Sequence, residues 1–315
     1  MYLSLRIASH HAHAQHIALK SIGPSNAPGV PPRCADRHPP TSADDRAAAI
    51  ASAGVRVSCA FVPSTHRLRR NIVITGASSG LGAGMAREFA KRGRNLALCA
   101  RRVDLLRELR AELLADNPRI SVEIRQLDVN DHGRVFDVFA ELADELGRID
   151  RVIVNAGIGN GQPIGTSRFD ANLRTAQTNF LGALAQCEAA MELFRATNSG
   201  HLVVVSSIAA LRGFPGNSTV YAATKAAVAA LAEGIRADVM RTPIAVTTLF
   251  PGFIDTPLIE DMPKAPFRVS AEKGCRAMVS AIEDEPATAR VPVWPWAPIG
   301  FVLKRAPLSI IARLG

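Results

Sequence analysis

Residues 71–82 read NIVITGASSGLG, a short β-branched run that passes directly into a glycine-rich loop. A stretch with helical periodicity follows at residues 81–92. Glycines allow the backbone to approach a pyrophosphate, and the N-terminus of the next helix offers free N–H groups. A purely structural turn is the alternative, but the strand–loop–helix context favours a nucleotide-binding site. The glycine spacing is GxxxGxG, and no Gly-Lys pair follows to make a P-loop.

The same alternation of apolar runs and helical stretches continues along the chain. The runs cover residues 71–74, 95–99, 121–127, 151–155, 201–206 and 244–250, and the helical stretches cover 81–92, 104–115, 132–146, 180–194 and 221–240. This pattern is typical of βαβ units with right-handed crossovers and a buried parallel sheet. We therefore predict a single α/β domain, a doubly wound Rossmann sheet of about seven parallel strands with helices on both faces.

The composition is that of a globular protein. Of the 315 residues, 48% are hydrophobic and 21% are charged, which excludes a wholly disordered or fibrous chain. The five cysteines form no CxxC pair and stand at no metal-ligand spacing from a histidine, so we predict no metal site. Their odd number suits a reducing compartment, and we expect a cytoplasmic location.

The net charge of +9 is concentrated at one end of the sequence. Residues 1–70 hold nine Lys or Arg and three acidic residues, whereas the rest is close to neutral and shows no basic stripe interleaved with aromatics. A nucleic-acid partner is therefore not expected. The longest uncharged apolar run, residues 291–303, contains three prolines and is too short to span a bilayer.

Residues 1–70 also differ in composition, with seven of the 20 prolines, six of the eight histidines and no sustained periodicity. We predict a low-order N-terminal extension, followed by a folded domain at residues 71–315. The extension overlaps in composition with transit peptides, and a start codon assigned too far upstream would leave the same pattern. Its histidine cluster is more typical of a solvated tail than of a metal site.

The end of the second predicted strand should select the cofactor. An acidic residue there would bind the ribose diol of NAD, but this chain has Arg101 and Arg102. Two guanidinium groups suit a 2′-phosphate, which arginine binds in a bidentate, charge-assisted way. The alternative is that both arginines simply begin a solvated helix. We predict NADP as the cofactor, with NAD as the less favoured choice.

Tyr221 and Lys225 stand four residues apart at the start of a predicted helix, which places them on one face. A tyrosine near its ordinary pKa of about 10 is a poor base at neutral pH, but a nearby ammonium group stabilises tyrosinate and lowers that pKa. The pair could then exchange a proton with a substrate oxygen. The spacing alone is weak, but the other tyrosine of the chain, Tyr2, lies in the extension.

These motifs resemble those of the short-chain dehydrogenase/reductase family, in matching order, from residue 71 to residue 256. TGASSGLG at 75–82 is similar to the family's cofactor loop, and LDV at 127–129, NAG at 155–157 and PGFIDT at 251–256 resemble further segments around the cofactor. The resemblance assigns cofactor binding to Gly76, Ser78, Ser79, Gly80, Leu81, Gly82, Arg101, Arg102, Asp128, Val129, Asn155, Ala156, Gly157, Tyr221, Lys225, Pro251, Gly252, Ile254 and Thr256. It assigns catalysis to Asn179, Ser207, Tyr221 and Lys225.

The resemblance also implies a mechanism in which the hydride comes from the nicotinamide and no metal is needed. Tyr221 would donate a proton to a ketone oxygen or accept one from an alcohol, while Lys225 lowers the Tyr221 pKa and holds the nicotinamide ribose. Ser207 would stabilise charge on the substrate oxygen, and Asn179 would position a water that links Lys225 to solvent. The segment between Ser207 and Tyr221 is one residue longer than in close relatives, so Ser206 is the alternative serine.

The expected substrate is a carbonyl compound or secondary alcohol with a hydrophobic body, because the predicted substrate flap at 257–276 contains several apolar residues. A non-catalytic nucleotide-binding scaffold on the same fold is the alternative, which the presence of all four catalytic candidates disfavours. A sugar-nucleotide epimerase is disfavoured by the short body and the loop spacing. The resemblance implies a homodimer or homotetramer.

The apolar C-terminal segment, residues 291–315, has two interpretations. It holds Trp294 and Trp296 together with basic residues, a composition typical of an interfacial anchor that makes peripheral membrane contact. The alternative, which we favour from the sequence, is that its apolar residues pack over the substrate pocket or against a neighbouring subunit.

Overall fold

A computed structural model describes residues 68–259 and 265–313 of the chain. Most of the predicted extension and residues 260–264 of the predicted flap lie outside this range. The strands are β1 Asn71–Thr75, β2 Asn95–Ala100, β3 Val122–Gln126, β4 Arg151–Val154, β5 Gly200–Val205, β6 Ile244–Pro251 and β7 Thr288–Val291. The helices are α1 Gly80–Lys91, α2 Val103–Asp116, α3 His132–Leu146, α4 Phe169–Ala176, α5 Gly182–Thr197, α6 Ser218–Val239, α7 Ala271–Glu283, α8 Val293–Arg305 and α9 Leu308–Ile311.

The strands form one parallel sheet in the order β3-β2-β1-β4-β5-β6-β7. In the middle, β1 pairs with β2 on one side and with β4 on the other, so that Val73 lies opposite both Ala97 and Val152. The chain winds away from β1 in one direction and away from β4 in the other. A crevice therefore opens at the carboxyl ends of β1 and β4, where ligands bind in sheets of this kind. The predicted doubly wound fold is confirmed.

The core consists of two apolar layers, one on each face of the sheet. Side chains alternate along each strand, so in β1 Val73 faces one layer while Ile72 and Ile74 face the other. The first layer includes side chains of α3, α5 and α6, and the second includes side chains of α1, α2 and α7. Because helices cover both faces, the central strands β1, β2, β4 and β5 are largely apolar and buried along their length.

Several elements were not predicted from the sequence. A π-helical turn, Gln177–Leu181, joins α4 to α5, and residues 271–276 of the predicted flap belong to α7. The helix α8 forms in spite of its prolines. Its backbone is non-helical at Trp294, so Pro295 begins the regular helix, where a backbone N–H has no intrahelical partner to lose, whereas Pro298 lies inside it.

The folded body begins by Arg69, two residues before the predicted boundary. The Arg69 side chain is buried, and its Nε donates to Oε1 of Glu285 at 2.8 Å. The backbone N–H groups of Arg70 and Asn71 both donate to Oδ2 of Asp150, at 2.9 and 3.0 Å. These contacts hold the first residues of the described chain against the edge of the sheet that lies opposite the crevice.

A polar network is buried at this same edge. Arg151, which begins β4 and is only 1% exposed, donates from Nη1 to Glu283 at 3.0 Å and from Nη2 to Glu285 at 3.3 Å. Its Nε donates to Nδ1 of His201, at 2.8 Å. Burial lowers the pKa of the Arg151 guanidinium, and the charges of the two glutamates oppose that effect. The carboxylates are therefore what allows this cation to stay in the core.

His201 is held neutral inside this network. Its Nδ1 accepts from Arg151, and its Nε2 lies 2.9 Å from Oγ1 of Thr247, which itself donates to the Pro286 carbonyl at 2.6 Å. The proton of the imidazole therefore sits on Nε2. Burial and the charges of Arg151 and Arg69 hold the pKa of His201 well below its ordinary value.

The state of His201 predicts that the protein loses stability in mild acid. The unfolded chain protonates this residue near pH 6.5, whereas the folded chain does not, so its contribution is complete above about pH 6.5 and falls by up to about 1.4 kcal/mol per pH unit below it. The measurement is the free energy of unfolding in urea between neutral pH and pH 5. His201→Gln should flatten this dependence, and His132→Gln, at an exposed histidine, should not. Equal slopes for the wild type and His201→Gln would contradict the assignment.

Candidate active site

Two left-handed glycines shape the loop between β1 and α1. Gly76 has a φ of 63° and Gly80 a φ of 54°, conformations that favour glycine. A Cβ atom at Gly76 would lie 2.9 Å from Cα of Ala156, and one at Gly82 would lie 2.3 Å from the Gly76 oxygen. The loop therefore lies directly against the residues that follow β4, with the N-terminus of α1 behind it, as a pyrophosphate site requires.

Arg102 connects the end of β2 to this loop. Its Nη2 donates to Oγ of Ser79 at 2.7 Å and to Oγ of Ser78 at 3.1 Å. Ser79 stands at the N-cap of α1 but makes no capping hydrogen bond with its side chain. An exposed guanidinium, two hydroxyl groups and a helix N-terminus thus meet at one place, together with the exposed Arg101. This combination of donors suits a phosphate group.

Tyr221 and Lys225 lie on one face of α6, with Nζ 5.9 Å from the centroid of the tyrosine ring. Nζ donates to the carbonyl of Val205 at 2.9 Å, and burial lowers the pKa of Lys225 to about 8. Burial raises the pKa of Tyr221 above its ordinary value, and a hydrogen bond with Ser207 opposes that rise. The net direction is the opposite of the lowering that the motif predicted, because burial outweighs the effect of Ser207. Tyr221 keeps its proton at neutral pH.

The two serines that follow β5 have different partners. Ser206 is buried, and its Oγ donates to the backbone carbonyl of Lys225 at 2.7 Å. Ser207 accepts from the N–H of Ala209 at 3.2 Å, and its hydroxyl lies close enough to the phenol to oppose the rise in the Tyr221 pKa. The Ser207 hydroxyl thus adjoins the phenol, while the Ser206 hydroxyl is engaged in holding α6 to the sheet. This geometry favours Ser207 over Ser206 for contact with a substrate oxygen.

Asn179 lies in the π-helical turn and is held by three hydrogen bonds. Its Oδ1 accepts from the N–H of Ile158 at 2.8 Å, and its Nδ2 donates to the Ile158 carbonyl at 2.9 Å and to Oγ1 of Thr224 at 3.3 Å. A Cβ atom at Gly157 would lie 3.2 Å from Oδ1 of Asn179 and 3.4 Å from Nζ of Lys225. The amide and the amine therefore approach the same point beside Gly157, which has no side chain to separate them.

Thr75 supports the switch point between β1 and β4, a role that the motifs did not assign to it. Its Oγ1 accepts from the backbone N–H groups of Asn155 and Ala156, at 3.1 and 3.2 Å. Nδ2 of Asn155 in turn donates a hydrogen bond to the Thr75 carbonyl at 2.9 Å. The two strand ends that form the crevice are thus tied together by side chains, which keeps the glycine loop in place.

Asp128 and Val129, which the resemblance assigned to cofactor binding, have separate local contacts. Oδ1 of Asp128 accepts from the backbone N–H and from Nδ2 of Asn130, at 3.0 and 2.9 Å. Val129 packs against Gly182, the first residue of α5, where a Cβ atom would lie 2.8 Å from Cγ2 of Val129. Asp128 remains exposed at the carboxyl side of β3.

The PGFIDT segment follows β6. Thr256 lies beside the start of α1, since a Cβ atom at Gly80 would lie 3.5 Å from Cβ of Thr256. Ile254 is only 2% exposed and its side chain packs on Gly274. Only the backbone of Ile254 is therefore available for contact with a cofactor. Pro251 and Gly252 form the turn out of the sheet at the same edge.

An aromatic cluster next to this turn was not predicted. Trp296 of α8 packs edge-to-face on Phe253 and Phe267, with ring centroids 5.4 and 6.2 Å away. A Cβ atom at Gly252 would lie 2.1 Å from the indole ring. The sequence marked the pair Trp294 and Trp296 but did not indicate which of them faces inward. The segment is irregular and contains prolines, so no helical or strand periodicity indicates which tryptophan is buried.

The residues present at this edge fit a nicotinamide dinucleotide. The loop has no room for side chains at Gly76 and Gly82, so its backbone can approach a pyrophosphate. Arg102 supplies a cation beside the N-terminus of α1, and Lys225 supplies an amine beside Gly157.

Comparison with known proteins shows the family of the chain. The family model of the short chain dehydrogenases matches residues 70–266. The chain belongs to the short-chain dehydrogenase/reductase family. This dehydrogenase is 52% identical, over 231 residues, to an uncharacterized oxidoreductase of Mycobacterium tuberculosis, a match that covers 73% of this chain and 91% of the relative. The family assignment made from the motifs is confirmed, and with it the class of oxidoreductase.

Two solved structures resemble this dehydrogenase. Levodione reductase has a TM-score of 0.65 at 27% identity, with 71% of this chain and 96% of that protein covered. An alcohol dehydrogenase from the archaeon Thermococcus sibiricus, complexed with 5-hydroxy-NADP, has a TM-score of 0.64 at 26% identity, with 71% and 97% covered. Each match covers nearly the whole of the solved protein and the same share of this chain.

Proposed function

We propose that this dehydrogenase transfers a hydride between NADP(H) and a carbonyl compound or secondary alcohol with a hydrophobic body. The observation that carries the proposal is the meeting of Tyr221, Ser207, Lys225 and Asn179 beside the glycine loop. The Ser207 hydroxyl acts on the pKa of Tyr221, and Lys225 and Asn179 approach Gly157 together. A proton donor, a second hydroxyl group and a cation at the switch point of the sheet are what carbonyl reduction needs.

Tyr221 is the proton donor in the direction of reduction. Because burial raises its pKa, the phenol is protonated at neutral pH and can protonate the oxygen of a carbonyl group. The Ser207 hydroxyl stabilises the charge that develops on that oxygen. In the opposite direction Tyr221 must first lose its proton, and the Lys225 ammonium then stabilises tyrosinate. Asn179 positions a water between Lys225 and solvent.

The cofactor supplies the hydride when it is bound. The chain's own residues hold it: the backbone around Gly76 and Gly82 for the pyrophosphate, Arg102 with Ser78 and Ser79 for the 2′-phosphate, and Lys225 for the nicotinamide ribose. The hydrophobic character of the substrate is supported by the aromatic cluster around Trp296, which lies against the turn after β6.

The proposal is tested by following the oxidation of NADPH and of NADH with a panel of ketones and aldehydes, and the reverse reaction with alcohols. Hydrophobic ketones should give turnover, with higher kcat/KM than small polar ones. A protein that binds NADPH but turns over no member of the panel would favour the non-catalytic scaffold instead.

We predict a preference for NADP(H) that depends on Arg102. A charge-assisted contact with the 2′-phosphate contributes about 1.5–3 kcal/mol, so Arg102→Ala should reduce the ratio of kcat/KM for NADPH over NADH by about ten- to a hundredfold. Most of the loss should appear in the KM for NADPH, because the phosphate is remote from the reacting atoms.

The matched control for this prediction is Arg110→Ala, which removes another exposed arginine of α2. That variant should keep the wild-type ratio. Equal kcat/KM values for the two cofactors in the wild type, or an unchanged ratio in Arg102→Ala, would contradict the role given to Arg102.

A further inference from the structure

The helix α8 has one buried face and one exposed face. Trp296 is 2% exposed, and Gly300 lies so close to the body that a Cβ atom there would be 2.9 Å from Cδ1 of Leu211. Ile311 of α9 is completely buried. These side chains of the C-terminal segment therefore pack on the body of the protein.

The opposite side of the same segment is apolar and exposed. Trp294 is 78% exposed and Phe301 is 59% exposed, and the neighbouring residues on this side are also hydrophobic. We call this surface the C-terminal apolar face; it consists of Val293, Trp294, Phe301, Val302, Leu308 and Ile310. Exposed apolar patches of this kind mark interaction surfaces.

The charged residues of the segment that carries the C-terminal apolar face are all basic. Residues 286–313 contain no acidic residue, and Lys304, Arg305 and Arg313 are exposed at the end of the segment. The Arg305 guanidinium lies 3.9 Å from the centroid of the Phe301 ring, so a cation stands directly beside the apolar surface. The partner of such a surface should present hydrophobic material next to negative charge.

We propose that the C-terminal apolar face docks on an anionic lipid surface. Tryptophan and phenylalanine beside lysine and arginine are typical of segments that lie in the membrane interface, where apolar side chains enter the acyl boundary and cations meet the headgroups. Within the part of the chain that the structure describes, no helix is long and apolar enough to cross a membrane. The contact is therefore peripheral, through one face of α8 and through α9.

A second copy of the chain is a less suitable occupant than a lipid surface. In a twofold interface the same patch lies on both sides, so Lys304 and Arg305 would meet a second copy of a segment that has no acidic residue to pair with them. An anionic headgroup layer satisfies both the charges and the apolar side chains. This inference does not depend on the proposed reaction, because none of its residues belongs to the catalytic group.

The test is co-sedimentation of the full chain with vesicles of phosphatidylcholine containing about 30% phosphatidylserine, compared with vesicles of phosphatidylcholine alone. The wild type should pellet with the anionic vesicles, and less so as the salt concentration rises. Each basic residue near such a surface contributes about fivefold to partitioning, so Lys304→Glu with Arg305→Glu should weaken binding by at least about 25-fold. Trp294→Ala with Phe301→Ala should weaken it by about tenfold or more.

Two matched double variants serve as controls. The basic residues 1–70 are present in every protein compared, so a difference in binding between variants does not come from them. Ile164→Ala with Phe169→Ala removes exposed apolar side chains elsewhere, and Arg110→Glu with Arg119→Glu reverses exposed charges elsewhere. Both should pellet like the wild type. If the apolar double variant does not fold, the charge-reversal variant decides.

Three outcomes would overturn the proposal. The wild type could stay in the supernatant with anionic vesicles at low salt. Both C-terminal double variants could pellet as well as the wild type. The C-terminal variants could instead change the molecular mass measured by light scattering without vesicles, which would make the face an interface between copies of the chain.

Discussion

Replacing Tyr221 with phenylalanine is expected to lower kcat by about 10²- to 10⁴-fold, which is the usual contribution of a positioned acid or base. The variant lacks only the hydroxyl group, and the ring keeps its place on α6. Because the pKa of Tyr221 is raised by burial, the wild-type phenol holds the proton that a carbonyl oxygen must receive. The measurement is kcat with NADPH and the best ketone of the panel, together with the Kd for NADPH, which should remain close to that of the wild type.

The control for this experiment is Tyr2→Phe, the same chemical change at the other tyrosine of the chain, in the N-terminal extension. That variant should keep full activity. A Tyr221→Phe protein that retained more than about a tenth of the wild-type kcat could not have lost its proton donor. A variant that also lost NADPH binding would show that the hydroxyl group has a structural role in the cofactor site.

Replacing Arg151 with methionine is expected to lower the free energy of unfolding by about 3–5 kcal/mol, the usual cost of removing one partner from a buried ion pair. The side chain is 1% exposed and bridges Glu283, Glu285 and His201. Without Arg151, the negative charges of Glu283 and Glu285 are balanced by fewer cations. The effect should fall at the lower end of the range, because Arg94 still pairs with Glu283 at 2.9 Å.

Urea denaturation at neutral pH measures this change, and Arg87→Met is the matched control. Arg87 pairs with Glu112 at 2.6 Å, but both side chains are over 40% exposed, so the control should lose no more than about 1 kcal/mol. Equal losses in the two variants would mean that burial adds nothing to the Arg151 pairs. Folded Arg151→Met should keep its kcat, because Arg151 begins β4 whereas the site lies beyond the carboxyl ends of the strands.

The fold could be predicted from the sequence because its determinants are local. Each central strand is buried on both faces and is therefore a continuous apolar run, and each covering helix shows its own periodicity. The glycine loop is equally local, since Gly76 and Gly80 adopt left-handed conformations within one turn of chain. The edge elements β7 and α8 escaped prediction because a short strand and a proline-containing helix leave little pattern to detect.

Part of the candidate site could also be predicted, because the determinants of that part are local. Tyr221 and Lys225 are four residues apart on one helix, so their common face follows from helical geometry alone. The choice between Ser206 and Ser207 does not follow from helical geometry, because it depends on how β5 meets α6. Ser206 donates to the Lys225 carbonyl, whereas the Ser207 hydroxyl acts on the Tyr221 phenol. The sequence predicted a lowered pKa for Tyr221, whereas burial raises it. A motif does not show how deeply its residues are buried.

The sequence by itself determined the order of the elements, the parallel sheet, the glycine loop and the identity of the residues able to carry the chemistry. These features depend on near neighbours in the chain, through hydrophobic periodicity and helical spacing. The tertiary structure alone decided that Arg151, His201 and Glu283 share one buried network, and that Trp296 faces inward while Trp294 faces outward. Burial and pairing of this kind are set by residues distant in sequence, and a charged residue at the start of an apolar run gives no sign of its partner until the strands and helices are packed together.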